Sequence, residues 1–173
     1  MQSDMENLVK QLAERRDLTD EQFCALLAAD AWDAELFEAA DRVRRARYGA
    51  DVYIRGLIEF TNYCKNDCYY CGIRRSNSRA ERYRLTQAQI LACCAEGYAL
   101  GFRTFVLQGG EDPYFTDDRL CAVVSAIRKN HPDCAVTLSV GERSHESYKR
   151  LFEAGAERDL WRHETADPGH YGR

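Results

Sequence analysis

At 173 residues the chain can build one domain with its own core, and its 45% hydrophobic and 30% charged residues are the balance of a globular protein in water. A formal net charge of −4 and a pI near 5.6 argue against a nucleic-acid-binding surface. No apolar stretch approaches the roughly 20 residues of a membrane span, and Met1–Glu6 lacks the basic-then-apolar pattern of a signal peptide, so a cytoplasmic protein with reduced thiols is expected.

The first fifty residues read as helical. Leu8 and Leu12, then Phe23, Leu26 and Leu27, then Leu36, Phe37, Ala40 and Val43 recur at helical spacing. Thr19 and Gln22 form a capping box, with Leu18 and Phe23 placed as its hydrophobic staple. The basic run Arg42, Arg44, Arg45 and Arg47 is flanked by Asp41 and Asp51 and reads as a solvated helix face. Tyr48–Asp51 is the nearest thing to a boundary, which gives a helical segment 1–50 and a second domain 51–173.

Strands then alternate with helices. A strand is predicted over 52–60, and a helix over 86–100, capped by Thr86 and Gln89 and stopped at Gly101. A second strand over 104–108 precedes a helix over 117–130. A third strand, 135–140, precedes a helix opened by Ser144 and ended at Gly155, and a short fourth strand covers 158–162. This βαβαβαβ order predicts an α/β fold with a parallel sheet and right-handed crossovers. The chemically dense segments all fall at the C-terminal ends of strands: Cys64–Cys71, Gln108–Pro113, Ser139–Glu142 and Arg162–Thr165. In parallel barrels that rim carries the active site.

Among eight cysteines only Cys64, Cys68 and Cys71 have ligand spacing. Cys24 and Cys121 sit among apolar neighbours and read as small core residues. Cys93 and Cys94 point to different sides of a helix. Three thiolates within eight residues suit a four-iron cluster that keeps one iron open to a ligand. Zinc is the alternative, although structural zinc prefers four closed ligands and no second cysteine pair exists. Gly109 and Gly110 allow a close backbone approach to a ligand, and Glu111 can accept from an ammonium group. The plain reading of that segment is a tight turn with Thr116 as the next helix cap. Arg162 can pair with a substrate carboxylate or simply with Glu142 or Glu164. His163 faces the other way on an extended strand and reads as structural.

The cysteine spacing, with aromatic Tyr70 before Cys71, resembles the radical S-adenosylmethionine superfamily. Four segments resemble its HydE-type branch of FeFe-hydrogenase maturases, relatives of biotin synthase and methylornithine synthase. They are Ile54–Cys64, Cys71–Arg75, Leu107–Pro113 and Arg162–Ala166. The resemblance implies a 4Fe-4S cluster on Cys64, Cys68 and Cys71. It implies S-adenosylmethionine held by Tyr70, Gly109, Gly110, Glu111, Ser139 and Glu164, and a substrate met by Gln108, Thr137 and Arg162. Reductive cleavage of the cosubstrate to a 5′-deoxyadenosyl radical is the implied reaction. A small-molecule or organometallic substrate, an external electron donor and other hydrogenase maturases are the implied partners, with no nucleic acid or membrane. No protein side chain is assigned as catalytic. The fold implied is a partial parallel (β/α) TIM-type barrel of about four βα units behind N-terminal helices. Enzymes of this branch are about twice as long, so a truncated or partial chain is expected. A biotin-synthase-like or methylornithine-synthase-like enzyme and an inactive cluster- or zinc-binding fragment are the alternatives.

Overall fold

The computed structural model describes residues 2–162 and 164–171. The chain divides into two compact units, Met1–Tyr53 and Ile54–Arg173.

The first unit holds helices α1 (Gln2–Arg15), α2 (Asp20–Leu27) and α3 (Asp33–Tyr48), with a 3₁₀ turn at Asp30–Trp32. Thr19 opens α2 with both halves of its capping box in place: its hydroxyl accepts from Gln22 N at 3.3 Å, and its own N–H donates to Gln22 Oε1 at 2.9 Å. The core is small, built on Val9, Leu18, Leu26 and Ala39. Phe23, Phe37 and Val43, expected on the inner face, are exposed, and so is Cys24, expected in the core. Short helices cover only a narrow stripe of one another, and that stripe selects Leu26 on α2 and Ala39 on α3. Phe23 therefore does not complete a buried staple with Leu18. The basic run acts locally. Arg45 pairs with Asp41 at 2.5 Å, and the Arg44 guanidinium donates to the carbonyls of Gly49, Ala50 and Asp51 just past the helix end.

The second unit is a parallel sheet in the order β1-β2-β3-β4: β1 (Gly56–Thr61), β2 (Thr104–Gly109), β3 (Ala135–Ser139) and β4 (Arg158–Asp159). The crossovers are α4 (Gln87–Ala99), α5 (Asp117–Asn130) and α6 (His145–Glu153), and a short α7 (Pro168–Tyr171) follows. β1 starts at Gly56 rather than at 52, because pairing begins where Gly56 lies opposite Phe105, one residue into β2. β4 has two residues rather than five, aligned with Thr137 and Leu138 of β3. Arg162 therefore lies beyond the strand.

One face of the sheet is apolar. Ile58, Phe60, Phe105, Leu107, Val136 and Leu138 pack with Ile90 and Cys94 of α4 and Leu120, Val123, Val124 and Ile127 of α5. Burial of each large aliphatic or aromatic side chain contributes roughly 1.5–3 kcal/mol. Cys94 belongs to this core. Burial pushes its thiol up to about 12, while its neighbour Cys93 is exposed. Cys134 is also fully buried, and its thiol is raised mainly by burial. On the opposite face, Glu59, Gln108 and Ser139 stand level across three strands, with Val106 and Thr137 one pleat below.

Candidate functional site

The residues after β1 leave the sheet as a loop and return to it. At its base Asn62 N donates to Tyr83 O at 3.3 Å, Leu85 N to Phe60 O at 2.8 Å, and Thr61 bridges antiparallel to Arg84. Inside the loop the backbone is knotted by short-range bonds. Cys71 N reaches Cys68 O at 3.1 Å, Arg75 N reaches Asn66 O at 2.9 Å, and Ser76 N reaches Asp67 Oδ1 at 2.8 Å. Arg82 fills the middle. Its guanidinium donates to the carbonyls of Asn62, Ile73 (2.8 Å), Arg74 (2.7 Å) and Asn77 (3.3 Å).

Cys64, Cys68 and Cys71 are free thiols of intermediate burial on this loop. As a donor set, three unpaired thiols on one fixed loop suit a thiolate-ligated cluster. Among the described residues no three His, Cys, Asp or Glu side chains converge closely enough to hold a single ion. A four-iron cluster takes one thiolate per iron, so three thiols that bind it need not converge on a single ion. Tyr70 is exposed, but its hydroxyl lies within reach of Cys68. Its phenol is raised by desolvation first and then by the charges of Glu164, Cys68 and Cys71. Glu164 is thus near enough to Tyr70 for its charge to act on that phenol. Glu164 is exposed, with a positive φ of 54° that is uncommon outside glycine.

The turn after β2 is built against the cysteine loop. A Cβ on Gly110 would lie 2.2 Å from Tyr63 O and 2.8 Å from Cys64 Cβ, so the close approach of the two backbones requires glycine there. Lys65 N donates to Glu111 O at 2.9 Å, which binds the two segments next to the first cysteine. The Glu111 carboxylate faces Lys65 Nζ at 2.9 Å and accepts from Asn66 Nδ2 at 2.7 Å. The β3 end closes over the same side chain. Gly141 has φ +75°, and a Cβ there would fall 2.0 Å from Glu111 Cγ. A cavity of about 460 Å³ opens beside these groups, lined by Lys65, Asn66, Glu111, Glu142, Arg143 and Ser144.

Asp112, one residue on, has the most buried carboxylate of the rim and was not singled out from the sequence. It accepts two bonds from Arg84, Nε to Oδ2 at 2.6 Å and Nη2 to Oδ1 at 2.9 Å. The Thr61 hydroxyl (2.8 Å) and Tyr114 N (3.0 Å) complete its partners. Burial opposes ionisation of Asp112, but the bonds from Arg84, Thr61 and Tyr114 outweigh it and hold the carboxyl below its usual range. The Arg84 guanidinium lies 3.9 Å from the ring centre of Tyr63 and 4.8 Å from that of Tyr114. Asp112 thus ties the β1 end, the loop exit and the residue before Cys64 into one knot. A bulge at the end of β1 makes this geometry. The register slips between Glu59 and Thr61, so the consecutive residues Phe60 and Thr61 are both buried. Thr116 sits at the cap position of α5 but makes no side-chain cap bond.

Of the other predicted residues, Gln108 and Ser139 share one level of the open face and Thr137 stands a pleat below. Gln108 Nε2 donates to Glu59 Oε1 at 3.0 Å, a partner that sequence reading did not find. The Thr137 hydroxyl is buried without a hydrogen-bond partner among the described residues. Gly109 lies against Thr61, whose Cγ2 is 2.7 Å from the place of a Cβ. Arg162 is exposed and makes no ion pair with Glu142 or Glu164 among the described residues, so the structure does not bring it to the others. His163 lies outside the described residues.

A family model described as the Radical SAM superfamily matches residues 58–160. The chain is 43% identical over 157 residues to the [FeFe] hydrogenase maturase subunit HydE of Thermotoga maritima, an alignment covering 90% of this chain and 44% of that protein. It is 29% identical over 157 residues to 3-methylornithine synthase of Methanosarcina acetivorans, covering 88% of this chain and 44% of that one. Among solved structures, methylornithine synthase superimposes with a TM-score of 0.76 at 29% identity, over 88% of this chain and 46% of the other. The chain spans less than half the length of the curated relatives it matches.

Proposed function

We propose, from the premise that this chain belongs to the radical S-adenosylmethionine superfamily, that its rim binds a 4Fe-4S cluster and S-adenosylmethionine and serves reductive cleavage of that cosubstrate. Cys64, Cys68 and Cys71 would hold the cluster. When bound, the cluster supplies one electron that cleaves the sulfonium to methionine and a 5′-deoxyadenosyl radical. The protein's own work is positioning. Gly109 and Gly110 bring the β2 turn onto Tyr63 and Cys64 with no side chain between them. Glu111 offers a carboxylate to the amino group of the cosubstrate. Lys65 Nζ, itself an ammonium at 2.9 Å, supports that reading, because it marks where such a group sits on Glu111. Ser139, Tyr70 and Glu164 are assigned to the rest of the cosubstrate, and Gln108 and Thr137 to the substrate on the open face; Arg162 joins them by resemblance alone.

The observation that carries the reading is the built contact between the two motifs: Gly110 under the Tyr63 carbonyl, and Lys65 N on Glu111 O. A cysteine loop and a Gly-Gly-Glu turn made as one piece support a reading in which a cluster on the loop would sit beside the Glu111 carboxylate. The finer reading is maturation of FeFe hydrogenase, supported by the 43% identity to the Thermotoga protein. An organometallic substrate, an electron donor and the other maturases belong to that finer reading.

The test is anaerobic reconstitution with iron and sulfide, reduction, and addition of S-adenosylmethionine. The expected results are a cluster spectrum that changes on adding the cosubstrate and release of 5′-deoxyadenosine, both lost in Cys68→Ala. Tight zinc with no iron chromophore would overturn the cluster. Cosubstrate cleavage without any rescue of hydrogenase activity in a host lacking its HydE would overturn the finer reading alone.

A further inference from the structure

We infer that Arg82 is a positioning residue that closes the cysteine loop for metal ligation, an inference that rests on the proposed role of Cys64, Cys68 and Cys71. Five other arginines of this unit face carboxylates, Arg84 on Asp112, Arg103 on Asp133, Arg128 on Glu157, and Arg143 and Arg150 on Asp117, whereas Arg74 and Arg119 each donate to a single backbone carbonyl. Arg82 has no carboxylate partner among the described residues and donates only to backbone carbonyls.

The choice of carbonyls gives it its role. Asn62 stands two residues before Cys64; Ile73 and Arg74 stand two and three residues after Cys71. Nη1 bridges Asn62 and Ile73, and Nη2 bridges Arg74 and Asn77. One planar group therefore joins the entrance and the exit of the segment that carries all three thiols. Joining the ends of such a segment removes loop entropy before any metal arrives. The fork of donors matters as much as the charge, since a guanidinium fixes four acceptors in one plane and an ammonium does not. The acceptors are themselves held. Asn62 Nδ2 donates to Glu81 O at 2.6 Å, and Asn62 Oδ1 accepts from Tyr83 N at 2.8 Å, so Arg82 is clamped from both sides along the chain. Arg74 adds a bond from its own Nη1 to Cys71 O at 3.2 Å.

The test uses the whole chain and two variants, Arg82→Met and Arg82→Lys, with two readouts that need no turnover. The first is amide hydrogen exchange. The loop amides of Cys71, Arg74, Arg75 and Asn77, each bonded to a loop carbonyl, should exchange at least tenfold faster in Arg82→Met, while the β2 and β3 amides keep their protection. The second is titration with cobalt(II), read by its thiolate charge-transfer absorption. Affinity should fall at least tenfold in Arg82→Met, and Arg82→Lys should recover less than half of that loss on a logarithmic scale. Exchange and cobalt affinity within twofold of the parent chain would overturn the inference. So would a loss of β2 and β3 protection together with the loop, which would make Arg82 a general fold residue. A parent chain that binds cobalt but assembles no iron–sulfur chromophore overturns the cluster reading instead and leaves the loop result standing.

Discussion

Gly110→Ala tests the joint between the two motifs most directly. The added Cβ would fall 2.2 Å from Tyr63 O, 3.0 Å from Tyr63 C and 2.8 Å from Cys64 Cβ. Two of these atoms are backbone and the third is Cys64 Cβ, so no side-chain rotation relieves the clash. Reaching an ordinary contact of about 3.5 Å requires the two segments to separate by about 1.3 Å. Overpacking of this kind costs about 1–3 kcal/mol, and the displacement falls on the bond from Lys65 N to Glu111 O and on Cys64 itself. Gly72→Ala is the matched control, because a Cβ there meets nothing within 4 Å although it adjoins Cys71. Urea or thermal unfolding should show Gly110→Ala destabilised by that amount, or about 2–4 °C per kcal/mol for a chain of this size, with Gly72→Ala unchanged. Iron retained after reconstitution should drop in Gly110→Ala and hold in Gly72→Ala. A Gly110→Ala protein with parental stability and parental iron content would refute the coupling of this turn to the cysteine loop.

Two further predictions rest on separate features. Asp112→Asn removes the charge that Arg84 faces. Because Arg84 keeps 35% of its side chain exposed while Asp112 keeps 1%, the loss should be about 1.5–3 kcal/mol rather than the larger cost of a fully buried pair. The Asp112 carboxyl is depressed in the folded state, so its contribution is complete above the unfolded value of about 3.9 and is lost as pH falls through the folded value. Unfolding midpoints measured from pH 7 down to pH 2 should therefore show a shallower acid limb in Asp112→Asn, and an unchanged limb would refute the pairing. Native alkylation followed by mass spectrometry should modify exposed Cys24 and Cys93 and spare Cys94 and Cys134, which are fully buried with raised thiol pKa values; modification of Cys94 at the rate of Cys93 would refute its placement in the core.

What could be read in the sequence was what is encoded within a few residues. Thr19 with Gln22 and Thr86 with Gln89 announce their helices because both halves of a capping box lie within one turn. Helix 117–130 has the predicted bounds, and the parallel order follows from strands separated by helices. The spacing of Cys64, Cys68 and Cys71 is likewise a local fact. It marks the loop, which lies within the residues 58–160 matched by the Radical SAM superfamily.

Where the sequence pattern gave the wrong answer, the missing information was a distant partner. Phe23 and Phe37 have helical spacing but stay exposed, and β4 shrinks to the two residues that β3 aligns with. The site's support was hidden for the same reason. Asp112 meets Arg84 across 28 positions and Thr61 across 51, and Gln108 meets Glu59 across 49. The sequence alone thus determined where the capped helices start and how closely the three cysteines are spaced, since spacing and caps act within a turn of chain. The tertiary structure decided how the cysteine loop is seated on Gly110 and tied to Glu111, because those contacts exist only once β1 and β2 are side by side.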